Sequence, residues 1–125
     1  MSELAGLIQD AELEVMKVFW KKDKALPLSE IRSVLSQRCD WEDSTIKTLV
    51  RRLLTKGIIK LEQRGIYSAV VSEHEYNQWS SRAYVNKVFS GSAKKLVASL
   101  LSDGQLTEKD IAELSAMFNG DKNEQ

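Results

Sequence analysis

The apolar residues of this chain change their spacing at Gly57. Before it they recur every three or four residues in three successive runs, and after it they alternate. The first run, Leu13, Met16, Phe19 and Trp20, predicts a helix over about 10–22. Asp10 is its expected N-cap, and Glu12 and Glu14 suit the positive end of its dipole. The second run, Ile31, Val34 and Leu35, predicts a helix over about 29–37 capped by Ser29. The third, Ile46, Leu49, Val50, Leu53 and Leu54, falls at i, i+3, i+4, i+7 and i+8. It predicts a helix over about 43–56, stopped by Gly57. Leu26-Pro27-Leu28 is too short for more than a strand fragment or a turn, and 38–41 reads as a turn. Beyond Gly57, Ile59 and Leu61, then 66–71, form two strands joined at Gln63-Arg64-Gly65, where Gly65 can take a positive φ. Three helices followed by a hairpin within about 70 residues is the order of a winged helix-turn-helix.

The remainder reads as helical. Ser72 and Glu75 stand three apart, as in a capping box, and open a helix to about 89. Gly91 breaks it, a short helix follows over about 93–101, and Asp103-Gly104 turns the chain. Thr107 and Asp110 have capping spacing and open a last helix to about 118, leaving a polar tail, 119–125, that is expected to fray. The expected fold is mainly α with a small β-hairpin: a winged-helix DNA-binding domain over 1–71, then a helical dimerisation domain over 72–125. About 54 residues is marginal for an independent core, and three amphipathic helices need something to bury against. A second copy of the chain is the simplest partner, through Tyr76, Trp79, Val88, Phe89, Leu96, Leu100, Ile111 and Leu114. Packing onto the winged helix within one chain is the alternative.

Composition excludes several classes. Apolar residues make up 42% and charged residues 29%, which is globular rather than disordered. No run approaches the ~18 apolar residues of a membrane span. Met1-Ser2-Glu3-Leu4 lacks the basic and apolar regions of a signal peptide, and Cys39 alone makes no internal disulfide, so a cytoplasmic location is expected. With one His, one Cys and no Gly-rich phosphate loop, no catalytic constellation, metal site or cofactor site can be assembled. His74 reads as an exposed first-turn residue, Cys39 has no resolving partner, and Trp20, Trp41 and Trp79 read as core anchors.

The net charge is zero, 18 basic against 18 acidic side chains, which removes the simplest argument for nucleic acid. Its distribution restores one. Residues 1–71 hold 12 basic and 10 acidic side chains, whereas residues 72–125 hold 6 and 8. Residues 44–64 carry Lys47, Arg51, Arg52, Lys56, Lys60 and Arg64 against Glu62 alone. On a helical wheel the face opposite the apolar stripe of 43–56 shows Ser44, Thr48, Arg51 and Thr55, with Thr45 and Arg52 on one shoulder and Lys47 on the other. Thr offers a methyl to thymine and Arg a fork to guanine, the chemistry of a helix in the major groove. Arg64 at the hairpin tip suits a phosphate or the minor groove. Glu42 and Asp43 favour the helix dipole but repel a nearby phosphate.

An ordered set of short motifs spans about residues 7–118. It comprises Ala11-Glu12-Leu13-Glu14-Val15-Met16 with Val18 and Trp20, Asp40-Trp41, Ser44-Thr45-Ile46-Lys47-Thr48-Leu49, Arg52-Leu53, Lys56-Gly57 and Tyr67. It continues with Val85-Asn86-Lys87-Val88-Phe89, Gly91, Leu106-Thr107, Ile111 and Glu113-Leu114. In this set the sequence resembles the penicillinase-repressor family of bacterial winged-helix repressors, the BlaI, MecI and CopY proteins. The resemblance implies an antibiotic-resistance-type regulator: a homodimer on palindromic double-stranded operator DNA, with a co-encoded sensor or protease as a further partner. By motif position it implies base reading by Thr45, Thr48 and Arg52, agreeing with the wheel on Thr48. Copper-responsive members carry C-terminal Cys-x-Cys motifs, and the tail here has no Cys. Members cleaved on induction have an Asn-Phe pair where this chain has Ser99-Leu100. The expected function is a sequence-specific transcriptional repressor reading DNA through the helix at 43–56 and the wing at 58–71, with Ser44, Thr45, Lys47, Thr48, Arg51, Arg52, Thr55, Lys56, Lys60 and Arg64 at the interface. A winged helix serving as a protein-interaction module is the alternative, and an apolar or acidic recognition face would mark it.

Overall fold

The computed structural model describes the backbone of residues 3–123 and the side chains of residues 3–119. By its internal contacts the chain divides into two compact units, 1–81 and 82–125.

In the first unit a 3-10 turn, Glu3–Leu7, precedes α1, Asp10–Lys22. β1, Leu26–Pro27, leads directly into α2, Leu28–Arg38, and a short turn leads to α3, Asp43–Lys56. The hairpin follows as β2, Ile59–Gln63, and β3, Ile66–Ala69, and then α4, Glu73–Val88, begins. Two caps differ from expectation. The α1 N-cap is Gln9, whose backbone N–H donates to the Glu12 Oε1 at 3.0 Å, so Asp10 is already helical. Pro27, not Ser29, precedes α2, because Leu26 and Pro27 are held extended by pairing with Tyr67 and Ile66 of β3. That pairing completes an antiparallel sheet of order β1-β3-β2. The wing turns at Arg64-Gly65, with Gly65 at φ 75° and a bulge between Leu61 and Gln63.

α1 packs against α2, α3 and β3 and is buried on more than the one stripe its periodicity marks: Val15 and Val18 join Met16 and Phe19 in the core. Ile46, Leu49, Val50 and Leu53 of α3 pack with Ile31 and Leu35 of α2, Leu26, Ile58, Ile59 and Val71, which seats α3 with its polar face outward. The α2–α3 turn passes through a left-handed residue at Asp40 (φ 55°), a residue type that tolerates it. Gly57 ends α3 at φ 80°. Trp20 of α1 donates its indole N–H to the Val71 carbonyl at 2.9 Å, and its ring stands 5.7 Å from that of Tyr76 on α4. Trp79, 6.5 Å from Tyr76, lies over the 3-10 turn so closely that a Cβ on Gly6 would meet its Cζ2 at 2.9 Å.

The second unit holds the end of α4, then α5, Ala93–Ser102, and α6, Glu108–Asn123. Ser92 caps α5, accepting from the Lys95 N–H at 3.2 Å. The Thr107–Asp110 cap forms reciprocally: the Thr107 N–H donates to Asp110 at 3.0 Å and the Asp110 N–H to the Thr107 hydroxyl at 3.1 Å. α6 runs to Asn123, beyond the 118 expected, and 124–125 of the expected frayed tail lie outside the described residues. No described side chain of this unit is buried.

Candidate nucleic-acid interface

The outward face of α3 carries the polar residues that its apolar stripe leaves over. Ser44, Thr45, Lys47, Arg51, Arg52 and Thr55 are exposed and Thr48 is half-buried. Thr48 donates its hydroxyl proton to the Ser44 carbonyl at 2.9 Å, and its oxygen accepts from an Arg51 Nη2 at 3.4 Å. The Thr48 methyl is thereby turned by an intrahelical bond, and Arg51 lies back along the helix. Two shallow depressions flank Thr48. Ser44, Thr45, Leu49 and Arg52 line one with it, and Arg51, Arg52, Thr55 and Lys56 line the other. The set drawn from the wheel and the set drawn from motif position thus meet on one continuous surface, with Thr48 and Arg52 common to both depressions.

Three of the sequence-derived residues take other places. Lys56 is bonded within the fold. Its ammonium donates to both oxygens of the buried Glu12 carboxylate, at 2.7 and 2.8 Å, and to the Leu7 carbonyl at 3.0 Å. Those bonds use all three of its N–H donors. Counting charge along the sequence registers a cation but not a counter-ion 44 positions away. Lys60 lies on the hairpin 4.0 Å from Glu62, over a cleft lined also by Trp20, Ser68 and His74. Arg64 is exposed at the wing tip. Leu61, half-exposed on the wing beside Tyr67, was not singled out by its alternating pattern. Glu42 and Asp43 are exposed at the start of α3, as expected.

Of the residues assigned to dimerisation, Tyr76 is half-buried on Trp20, and Trp79 covers Gly6 within the first unit. Phe89 is half-buried 5.9 Å from Tyr84, and Leu96, Leu100 and Ile111 are half-buried in the second unit. Val88 and Leu114 are each 50% exposed, and Met117 and Phe118 each 66%. Met117 falls beside the stripe of Ile111, Leu114 and Phe118 rather than on it.

Among the described residues no group of three or more His, Cys, Asp or Glu side chains is placed to hold a metal ion, and no helix is long and apolar enough to cross a membrane.

A helix-turn-helix with a three-stranded wing, presenting hydroxyl and guanidinium side chains from its third helix, defines the winged-helix DNA-binding class. A solved DNA-binding domain of the repressor BlaI superposes with a TM-score of 0.52 at 35% identity, over 61% of this chain and 94% of that one. The chain belongs to the penicillinase repressor family, whose profile matches residues 8–120. It is 33% identical over 119 residues to the penicillinase repressor of Bacillus licheniformis, covering 93% of this chain and 92% of that protein. It is also 33% identical over 115 residues to the methicillin resistance regulatory protein MecI of Mammaliicoccus sciuri, covering 90% and 93%. The family is one of transcriptional repressors, not of enzymes.

Proposed function

We propose that this chain is a homodimeric repressor that binds a palindromic operator, reading bases with α3 and touching the backbone with the wing. The observation that carries the proposal is the α3 surface. An unbroken face of Ser, Thr, Arg and Lys stands outward on a helix whose other side is locked in the core. Such a face supplies methyl, hydroxyl and guanidinium contacts to base edges in one groove. The same face is neither apolar nor acidic, which weighs against a protein-interaction module. In this reading Thr45, Thr48 and Arg52 read bases, Ser44, Lys47, Arg51 and Thr55 flank them, and Arg64 reaches the backbone from the wing tip.

The exposed apolar residues of the second unit support the dimer. A unit with no buried side chain among its described residues, exposing Leu114, Met117 and Phe118, gains a core by pairing with its copy. Two recognition helices related by a two-fold axis then read half-sites one helical turn apart, ~34–36 Å, or a multiple of it. Repression follows by occlusion of the promoter, and the signal that lifts it acts on the dimer or on its DNA contact.

Gel-shift titration on the promoter of the chain's own operon tests this at ~150 mM salt, where nonspecific contacts are weakened. The expected result is tighter binding of that duplex than of a scrambled one, by at least about 1,000-fold, together with a dimer mass in sedimentation. Equal affinity for the two duplexes overturns the reading.

A further inference from the structure

Glu12 is the one charged side chain that is fully buried among the described residues. It sits in the first turn of α1, and both its oxygens are taken by the ammonium of Lys56, the last residue of α3. Oε1 also accepts the Gln9 N–H, and the third Lys56 donor goes to the Leu7 carbonyl. The C-terminal end of α3 is therefore tied by directional bonds to α1 and to the N-terminal turn. The rest of α3 is held by Ile46, Leu49, Val50 and Leu53, whose apolar contacts are non-directional. Stability does not require this arrangement, because an apolar pair of similar volume stabilises a core as well as a buried ion pair, or better. What the ion pair adds is geometry: it sets how far α3 lies along the core and how it is rolled.

We propose that Glu12 is a positioning residue for DNA readout. It acts through Lys56 to hold α3 in the pose that brings Thr48 and Arg52 to base edges, and the inference rests on the reading of α3 as the recognition helix. Lys56 then belongs to the scaffold of the site and not to its phosphate contacts, although its charge counts toward the basic segment. Bidentate contacts to a base tolerate little displacement, so a loosened α3 loses base discrimination before it loses attraction to the phosphates.

The test uses the full chain and two probes: the duplex that the wild-type protein enriches from a randomised library, and a scrambled duplex of the same composition. Glu12→Gln keeps the shape and removes the charge. It is expected to lower the ratio of the two affinities about tenfold, the loss of roughly one base contact, with affinity for the scrambled duplex unchanged. A merely structural role lowers both affinities with the folded fraction and leaves the ratio intact. Glu12→Gln/Lys56→Met leaves no unpaired buried charge and guards against misfolding of the single variant. It is expected to show the same fall in ratio, with a wild-type salt slope. A ratio preserved in both variants overturns the positioning role. A salt slope shallower by about one in the double variant overturns it too, because that places Lys56 on a phosphate. If the wild-type chain enriches no sequence, the DNA-reading proposal itself fails and takes this one with it, an outcome distinct from the other two.

Discussion

The two units of this chain use similar fractions of apolar residues to different ends. In 82–125, 18 of 44 residues are apolar, close to the 42% of the whole chain. Yet among the described residues all the buried side chains lie between Ala5 and Val71. The first unit closes its helices around α1 and seals them with a sheet, so its apolar residues meet one another. Among the described residues the second has only helices, and its Tyr84, Met117 and Phe118 are exposed. Apolar content thus decides that a segment will bury surface, and topology decides whether it can do so alone. A recognition surface needs a rigid base, which the first unit supplies. The proposed dimer surface needs unmet apolar area, which the second has.

The largest expected effect breaks the first unit alone. Phe19, 2% exposed, lies at the centre of its core. Phe19→Ala is expected to cost about 3–5 kcal/mol through lost contacts and the cavity left behind. Denaturant unfolding followed by tryptophan fluorescence measures this, while sedimentation below the transition still returns the dimer mass. A monomer mass in that variant would show that the second unit does not pair by itself.

Leu114→Asp addresses the other side. Leu114 is half-exposed, so the substitution costs the isolated unit little, but it places a charge in the proposed dimer surface. Sedimentation is expected to give a monomer, and operator affinity to fall by roughly 100-fold as the second half-site becomes a separate binding event. The wild-type unfolding midpoint should rise with protein concentration, and that of the variant should not. Dimer mass with unchanged affinity would remove Leu114 from the interface.

Within the first unit, Arg52→Ala and Lys60→Ala sharpen the division between reading and holding. Arg52 lines both depressions on α3, whereas Lys60 stands beside Glu62 on the hairpin. Loss of Arg52 is expected to relax preference at one base position by ~1–3 kcal/mol. Loss of Lys60 is expected to weaken all duplexes equally and by less. Competition titrations against single-base variants of the operator distinguish the two.

What was legible in the sequence divides by range. The limits of α3, the stop at Gly57, the wing turn and both capping boxes come from signals within a few residues, and the structure has them where periodicity and capping put them. The pairing of β1 with β3 was not legible, because Leu26-Pro27 becomes a strand only against Ile66 and Tyr67. Nor was the burial of Glu12, which reads locally as a dipole-complementing acid in the first turn of α1. Its partner lies at the far end of α3, and no period connects 12 with 56. For the same reason the pairing of Lys56 was not legible from its place in the basic segment. The outward placing of Thr48 and Arg52 on α3 follows from helical spacing, whereas pairing across the core does not.

The smallest effect compares one device in both units. Glu75 and Asp110 cap α4 and α6 in the same way, each carboxylate accepting the backbone N–H of the residue three before it. That bond first, and the neighbouring hydroxyl second, holds both carboxyls below their ordinary range. A lowered folded pKa means that the stabilisation is present above the unfolded pKa and is lost as pH falls through the folded one. Acidification below the ordinary carboxylate range therefore removes both caps. The start of α4 remains held by Tyr76 against Trp20, while that of α6 has only the half-buried Ile111. The amide of Ile111, bonded to the Thr107 carbonyl, should thus lose exchange protection as the pH falls from neutral to below the ordinary carboxylate range, and that of Tyr76, bonded to the Ser72 carbonyl, should largely keep it. Equal loss at the two amides would mean that packing in the first unit does not reach the start of α4, and that the contrast between the units stops short of it.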